Sequence, residues 1–267
     1  MAASKTYAEQ QNIKYAQKIN ELLKIFPEFC REYFNSLEYS KQPRTRLAYA
    51  RDLKTFFEFL IAEFPQYSNY QISDFPLHDI ESVTGQDISD YLRYMKVYDK
   101  DGTTVTNDER AAKRKLCSLR RFYGYYYRYE LISNNPSLKV DMPKIHDKAI
   151  TRLDVNEVAE LLDNVENGNK LTTAQLRTHE KLKCRDLALL TLLLGTGIRV
   201  SECVGLDIND VDFDNDRIKV VRKGGSESFV YFGDEVRAAL LDYMEERKQM
   251  NPDSGHENAL FISSKNK

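Results

Sequence analysis

An arginine that directly follows a glycine-rich turn is the residue of this chain best suited to bind an anion. Residues 185–206 read RDLALLTLLLGTGIRVSECVGL, so an apolar helix leads into a Gly-Thr-Gly turn and then Arg199. Glycine permits the sharp turn, Thr196 can cap the helix that follows, and Arg199 and Glu202 then share one face of that helix. A guanidinium offers directed donors to phosphate or carboxylate oxygens. Taken alone, however, these residues are explained more simply by a structural ion pair between Arg199 and Glu202.

A buried helix and a β-hairpin must position these groups. Apolar side chains at residues 187–194 surround their helix on all sides, which predicts a helix in the middle of a core. Further on, the β-rich runs RIKVV and FVYF flank a Lys-Gly-Gly turn, and this pattern predicts a hairpin with Lys223 at its tip. Alternation along the strand predicts that Arg222 points to the opposite face. Without further context, Lys223 is simply an exposed turn lysine.

The order of these blocks resembles the tyrosine recombinases, the phage-integrase and Xer-like family. GTGIRVSE, the lysine hairpin and GDEVRAALLDYMEE resemble the catalytic domain, while PRTRLAYARDLKTFFEFL and RKLCSLRRFYGYYYRYELISNNP resemble the helical core-binding domain. The resemblance spans roughly residues 26–261. It implies a mainly α fold with a small β-hairpin sheet, in which a SAM-like helical core-binding domain precedes a partial α/β catalytic domain.

The resemblance also implies a chemistry, in which DNA is cut and rejoined through a 3′-phosphotyrosyl link with no metal and no other cofactor. Arg199 matches the first of the family's two arginines, and Glu202 matches the acidic residue that supports it. Lys223 matches the hairpin lysine that protonates the leaving 5′-oxygen. Arginines can balance the charge that develops on the phosphorane, and a lysine on a turn has the reach for proton transfer. The hairpin reads KGGSES rather than the commoner Lys-Gly-Asn-Lys, which predicts weaker contacts near the cleavage site.

Three groups that the family uses after the hairpin lysine are absent from these 267 residues: a His-x-x-Arg box, a further His or Trp, and a nucleophilic Tyr. The histidines are His78, His146, His179 and His256, and the residues three positions after them are Glu81, Ala149, Leu182 and Ala259. The final ALFISSKNK resembles the strand that enters this part of the site. We therefore expect a recombinase sequence cut short that cannot by itself form a covalent DNA adduct, with Tyr231 and Tyr243 as structural residues.

Two basic clusters predict a DNA-binding surface in the first half of the chain. Residues 110–128 contain seven basic and no acidic residues, interleaved with five aromatic residues that we interpret as a core stripe. Like charges along a helix repel unless an anion such as phosphate neutralises them. A second cluster lies within residues 41–54. The residues predicted to contact DNA are Arg44, Thr45, Lys113, Arg114, Lys115 and Arg121, of which the resemblance places Thr45, Arg114 and Lys115.

Composition predicts a cytoplasmic protein of two domains, with 42% hydrophobic and 30% charged residues. The longest apolar run is far shorter than the ~20 residues of a membrane-spanning helix, and the N-terminus lacks an export signal. The four cysteines are widely spaced, which favours reduced thiols over a zinc site or disulfides. The net charge of −2 argues weakly against nucleic-acid binding, so that prediction depends on how the charge is distributed.

Helix breakers and charge divide the chain into predicted segments. Residues 1–25 form a polar, helical lead-in, residues 26–140 a core-binding domain of four or five helices, residues 141–150 a linker, and residues 151–267 an incomplete catalytic domain. Breaks between helices are expected at residues 65–76 and 98–107.

Two functions share every residue named above. One is site-specific recombination by a protein of bacteria or of a mobile element, which acts as a tetramer on double-stranded DNA that carries a specific site. The other is an inactive DNA-binding protein that occupies or regulates such sites. We expect these 267 residues alone to be monomeric. Coding DNA after Lys267 that specifies a His-x-x-Arg and a later Tyr would favour the first function. A third, unrelated possibility is a helical scaffold in which the basic helix is accidental.

Overall fold

The computed structural model describes residues 6–100, 102–146 and 149–264. The chain forms two compact units. One comprises Glu9–Ala149, and the other combines Met1–Ala8 with Ile150–Lys267.

The first unit is helical and carries one small hairpin. Its elements are α1 (Tyr7–Leu23, whose first two residues belong to the other unit), α2 (Phe29–Ser36), α3 (Pro43–Glu63), α4 (Leu77–Ser82), α5 (Gly85–Tyr94), β1 (Val97–Lys100), β2 (Thr103–Thr106) and α6 (Glu109–Arg128). The break predicted at residues 65–76 contains two short 3₁₀ turns, Pro65–Tyr67 and Ile72–Asp74. The break predicted at residues 98–107 contains the antiparallel hairpin β1–β2, which the sequence pattern did not indicate; Asp101 lies outside the described residues.

Side-chain caps fix where two of these helices begin. The Asp108 carboxylate accepts a hydrogen bond from the Ala111 main-chain N–H at 2.9 Å and so starts α6. At α5, Thr84 and Asp87 bond each other's main-chain N–H groups, an arrangement that satisfies two donors at the helix start.

Aromatic rings fill the core of the helical unit. Phe122 packs edge-on against Tyr33 and Tyr126, with ring centroids 5.3 and 5.0 Å apart, a geometry that aromatic pairs favour. The buried hydroxyls of Tyr123 and Tyr126 donate to main-chain carbonyls at 3.1 and 3.0 Å. The predicted aromatic core stripe of α6 is therefore confirmed for these α6 residues, whereas Tyr127 is half exposed.

A buried carboxylate joins α3 to α6. Asp52 on α3 is only 2% exposed, and its oxygens accept hydrogen bonds from Ser118 Oγ at 2.7 Å, from Lys115 Nζ at 3.4 Å and from the Arg114 guanidinium. Lys115 Nζ also donates to Thr55 Oγ1 at 3.3 Å. A charge inside a protein needs such partners, so Asp52 and its donors form one unit that fixes α6 on α3.

The second unit combines helices with a three-stranded antiparallel sheet. Its elements are α7 (Val155–Asn167), α8 (Thr173–Thr196), α9 (Val200–Cys203), β3 (Val211–Asp212), β4 (Arg217–Val221), β5 (Glu227–Tyr231) and α10 (Asp234–Arg247), with strand order β3-β4-β5. Ile218 and Val220 alternate into the core from β4 and meet Leu192 of α8 and Leu240 of α10. The mainly α fold with a small hairpin sheet is confirmed.

Helix α8 is buried on one face only, so the predicted burial on all sides is wrong. Ala188, Thr191 and Leu192 are its buried residues, whereas Leu194 is 42% exposed. Residues 187–194 carry more apolar side chains than the described part of this unit buries.

The segment after α10 does not form the predicted strand within the described residues. Ala259 makes a single bridge to Asp207, and side chains of the helices hold the rest. Tyr243 Oη donates to the Leu260 carbonyl at 3.1 Å, Arg247 Nη2 to the Ala259 carbonyl at 2.9 Å, and Arg185 Nη1 to the Ile262 carbonyl at 2.9 Å. Residues 265–267 lie outside the described residues.

The four cysteines are free thiols, and Cys30 and Cys203 are buried. Burial raises the pKa of the Cys203 thiol to about 11. None of the helices in the described residues combines the length and the apolar character that a membrane span requires. The same residues contain no cluster of side chains that could ligate a metal ion.

Substitution of Gly195 tests the contact between α8 and α10. A Cβ atom added at Gly195 would lie 2.6 Å from Cγ2 of the buried Val236. We expect Gly195→Ala to destabilise the protein by ~1–3 kcal/mol, because overpacking outweighs the better helix propensity of alanine. Thermal unfolding measures the loss of stability. The double variant, with both Gly195→Ala and Val236→Ala, should lose less stability than the sum of the losses in the two single variants. Gly124→Ala on α6, where the nearest atom is 3.9 Å away, is the control and should not destabilise.

Substitution of Asp52 tests the network between α3 and α6. Asp52→Ala leaves the ammonium of Lys115 buried without its carboxylate, so we expect a loss of ~3–5 kcal/mol in urea unfolding. Asp90→Ala in the same unit removes a carboxylate that pairs with Arg93 at the surface, and it should cost less than about 1 kcal/mol. Equal small losses for both variants would contradict a structural role for Asp52.

Candidate active site and nucleic-acid interface

The turn before Arg199 is built by a left-handed glycine. Gly197 ends α8 with φ 65° and ψ 17°, and its N–H donates to the Leu193 carbonyl at 2.9 Å. The Thr196 hydroxyl donates back to the Leu192 carbonyl, so Thr196 completes α8 and does not cap α9. The residue just before α9 is Arg199, and its backbone is extended. A helix fixed in the core thus delivers Arg199 at a defined position.

The carboxylate of Glu202 gathers two arginines. Its side chain is 4% exposed. Oε1 accepts from Arg199 Nη1 at 2.9 Å, while Oε2 accepts from the Arg199 main-chain N–H at 2.9 Å and from Arg222 Nη1 at 2.9 Å. The side chain of Arg199 remains 65% exposed and that of Arg222 36%. Glu202 therefore fixes both guanidiniums and leaves part of each open to solvent.

These bonds keep Glu202 ionised. Burial by itself would raise the pKa of its carboxyl group, but the hydrogen bonds from Arg199 and the charges of Arg222 and Arg199 outweigh burial, so the pKa is lowered. A lowered pKa contributes stability above the pKa of the unfolded chain, and this stability is lost as pH falls through the folded value. At neutral pH the cluster is one carboxylate with two guanidiniums.

Lys223 lies at the tip of the β4–β5 hairpin, as predicted. The Arg222 N–H donates to the Ser226 carbonyl at 2.8 Å and the Gly225 N–H donates to the Arg222 carbonyl at 3.0 Å, which closes the turn. Gly224 and Gly225 both have positive φ, which other residues rarely adopt. Lys223 is exposed, and within the described part of the chain its ammonium has no ion pair.

Arg222 directly follows strand β4, which ends at Val221, and its guanidinium reaches Glu202. No local sequence pattern identifies this pair, because Glu202 and Arg222 lie 20 positions apart. Tyr243 is buried and bonded to the Leu260 carbonyl, in line with a structural role.

Helix α6 carries a basic face on the helical unit. Arg110, Arg114, Arg121 and Arg128 follow one another at spacings of four or seven residues, which place them along one side of the helix. Arg110 and Arg128 are exposed, Lys113 and Arg121 are half-buried, and the Arg114 side chain is 46% exposed. On α3, Arg44 is exposed and Thr45 is half-buried in the first turn.

Lys115 does not belong to this face. It is 5% exposed and its ammonium donates a hydrogen bond to Asp52. An internal carboxylate therefore neutralises the charge that we expected a DNA phosphate to neutralise. The prediction that Lys115 contacts DNA overlooked Asp52, which is distant in sequence. The structure brings Arg114 and Lys115 together around Asp52, but it directs only Arg114 partly to solvent.

Known proteins resemble this chain in sequence. The sequence profile of the phage integrase family matches residues 151–267. The tyrosine recombinase XerC of Caldanaerobacter subterraneus is 31% identical over 250 residues, which cover 90% of this chain and 63% of that protein. The tyrosine recombinase XerC of Leptospira interrogans is 30% identical over 253 residues, which cover 91% of this chain and 71% of that protein. The chain thus spans roughly two thirds of the length of these relatives.

Solved structures share the fold. The integrase of the transposon Tn1549, solved in complex with circular intermediate DNA, matches 88% of this chain with a TM-score of 0.58 and 21% identity, over 71% of its own chain. A lambda integrase dimer bound to a COC′ core site matches 89% of this chain with a TM-score of 0.57 and 15% identity, over 72% of its own chain. The relatives in sequence show that the chain belongs to the tyrosine recombinase family.

Proposed function

We propose that this chain holds recombination-site DNA and supplies part of the phosphate-activating centre of a site-specific recombinase. The observation that carries the proposal is the guanidinium of Arg199, fixed by buried Glu202 yet open to solvent, in the same unit as a lysine hairpin. Family membership and the DNA complexes of the structural neighbours support it.

Each residue of the centre has a proposed role. Arg199 donates to the non-bridging oxygens of the attacked phosphodiester and stabilises their growing charge, while Glu202 orients it. Lys223 gives its proton to the leaving 5′-oxygen, for which an exposed turn offers the necessary reach. The attack itself requires a tyrosine oxygen. Tyr243 is buried and bonded to a main-chain carbonyl, and Tyr231 lies within the return strand β5, so neither suits the role of nucleophile.

The helical unit supplies the proposed grip on DNA. We assign phosphate or groove contacts to Arg44, Thr45, Lys113, Arg114 and Arg121, while Lys115 positions Arg114 through their shared partner Asp52. Phosphate contacts fix the register of a protein on a duplex, and base contacts select the sequence.

We also propose a division into residues 26–140, a linker of residues 141–150, and residues 151–267. The boundary between the compact units and the start of the family match support the division. Residues 147–148 of this linker lie outside the described residues. The proposed compartment is the bacterial cytoplasm, where the DNA substrate resides.

The second candidate is a DNA-binding protein that occupies or regulates recombination sites without cutting them. The residues assigned above to DNA contacts serve this candidate equally well. Both candidates require duplex binding by the polypeptide, for which we propose a monomer that binds with little cooperativity.

Binding to duplex DNA should weaken steeply with salt. If about six phosphates are contacted, a plot of log affinity against log salt should have a slope of about −5, following roughly 0.9 per phosphate. Fluorescence anisotropy with a labelled duplex measures it. Arg44→Glu with Arg121→Glu should abolish most affinity and is preferable to changes at Arg114 or Lys115, which would also disturb Asp52.

Arg93→Glu is the matched control for that experiment, because Arg93 lies outside both basic clusters and pairs with Asp90. Its affinity should stay close to that of the unsubstituted chain. Unchanged binding in the double variant would refute the assigned DNA surface.

The 267-residue polypeptide should form no covalent DNA adduct. It carries Arg199, Glu202 and Lys223, but loss of one preorganised donor already costs on the order of 10²- to 10³-fold in rate, and a nucleophile is indispensable. A nicked duplex, chosen because the polypeptide binds it, should yield no protein–DNA species that survives denaturing electrophoresis. The same polypeptide extended through a His-x-x-Arg box and a tyrosine is the positive control. An adduct that maps to Tyr231 or Tyr243 would overturn the assigned roles.

A further inference from the structure

We propose that Arg222 is a second phosphate-binding arginine of this site, which Glu202 holds beside Arg199 so that both guanidiniums bind one backbone phosphodiester of DNA. The inference rests on the proposed function, because it takes DNA as the ligand. It assigns to the hairpin a second contact with the substrate, in addition to Lys223.

The shared carboxylate brings the two guanidiniums together. Arg199 Nη1 donates to Oε1 of Glu202, and Arg222 Nη1 donates to Oε2, each at 2.9 Å. Two groups bound to the two oxygens of one carboxylate are neighbours, although 23 positions separate them in the sequence. The main-chain N–H of Arg199 also donates to this carboxylate at 2.9 Å. The carboxylate therefore cannot move toward one guanidinium and away from the other.

Most donors of both arginines remain available. A guanidinium has five N–H donors. The side chain of Arg199 uses one of its own for Glu202, and Arg222 uses two, at Glu202 and at Ser228 Oγ. Both side chains are partly exposed, at 65% and 36%. Planar donor pairs of this kind match the oxygens of a phosphate.

The charge of the cluster selects the ligand. Two guanidiniums face one carboxylate, which leaves one positive charge without a partner in the cluster. A phosphodiester carries a single negative charge and would neutralise it. Arg217 and Arg237 of this unit differ, because each pairs one-to-one with an acid, Arg217 with Asp212 and Arg237 with Asp216.

Contacts within the hairpin orient Arg222 before any ligand binds. Its Nε donates to Ser228 Oγ at 3.0 Å, and its main-chain N–H donates to the Ser226 carbonyl at 2.8 Å. A side chain fixed at both ends loses little further entropy on binding, which favours a phosphate contact. The same bonds link the position of the neighbouring Lys223 to Glu202.

Arginine side-chain NMR of the full 267-residue chain tests the proposal directly. The Nε–Hε signals are assigned with single Arg→Lys variants, and the chain is titrated with a mixed-sequence duplex of about 30 base pairs at low salt. We expect the signals of Arg199 and Arg222 to shift together with one midpoint. The signal of Arg217 is the internal control and should stay in place.

Salt dependence provides a second measurement. Arg222→Gln should weaken duplex binding and reduce the slope of log affinity against log salt by about 1, the change expected for one lost phosphate contact. Arg222→Lys should retain most of the slope because it retains the charge. Arg217→Gln on the same hairpin should leave the slope unchanged, and thermal unfolding confirms that each variant is folded.

Two results would overturn the role of Arg222 while the proposed function stands. One is an Arg222 signal that stays in place while the Arg199 signal shifts, and the other is an unchanged salt slope in folded Arg222→Gln. Either would leave Arg222 as a structural partner of Glu202. Absence of any duplex binding by the unsubstituted chain would instead refute the proposed function, and this inference with it.

Discussion

The buried carboxylate of Glu202 sets the arrangement of the whole centre. A buried charge is stable only when donors surround it, and three N–H groups do so here, from two segments far apart in sequence. The α9 turn and the hairpin are thereby fixed to one point. The left-handed Gly197 and the glycines of the hairpin turn let the two segments reach that point.

The helical unit follows the same physical principle with a different outcome. Asp52 also collects two basic side chains, but there Lys115 is enclosed and only Arg114 reaches solvent. In both units an internal acid decides which cations are structural and which are available to an external anion. Net charge along the sequence therefore says little about binding, since the pairing inside each unit determines how much positive charge remains.

Local patterns predicted much of the fold and of the candidate centre. The apolar helix, the Gly-Thr-Gly turn and the hairpin tip all follow from short-range rules, and the structure has Arg199, Glu202 and Lys223 on those elements. The pairing of Arg222 with Glu202 and the burial of Lys115 could not be predicted in the same way, because each depends on a contact between distant segments. The small hairpin β1–β2 was missed because its residues read as a helix break.

Side-chain donors that bind main-chain carbonyls fix the path of the segment that follows α10. Tyr243, Arg247 and Arg185 bind the carbonyls of Leu260, Ala259 and Ile262, groups that every amino acid possesses. A substitution at any of those three positions keeps the carbonyl acceptor, whereas loss of a donor side chain removes the bond. The path of the segment is thus set by polar side chains of the helices together with its own buried Leu260 and Ile262.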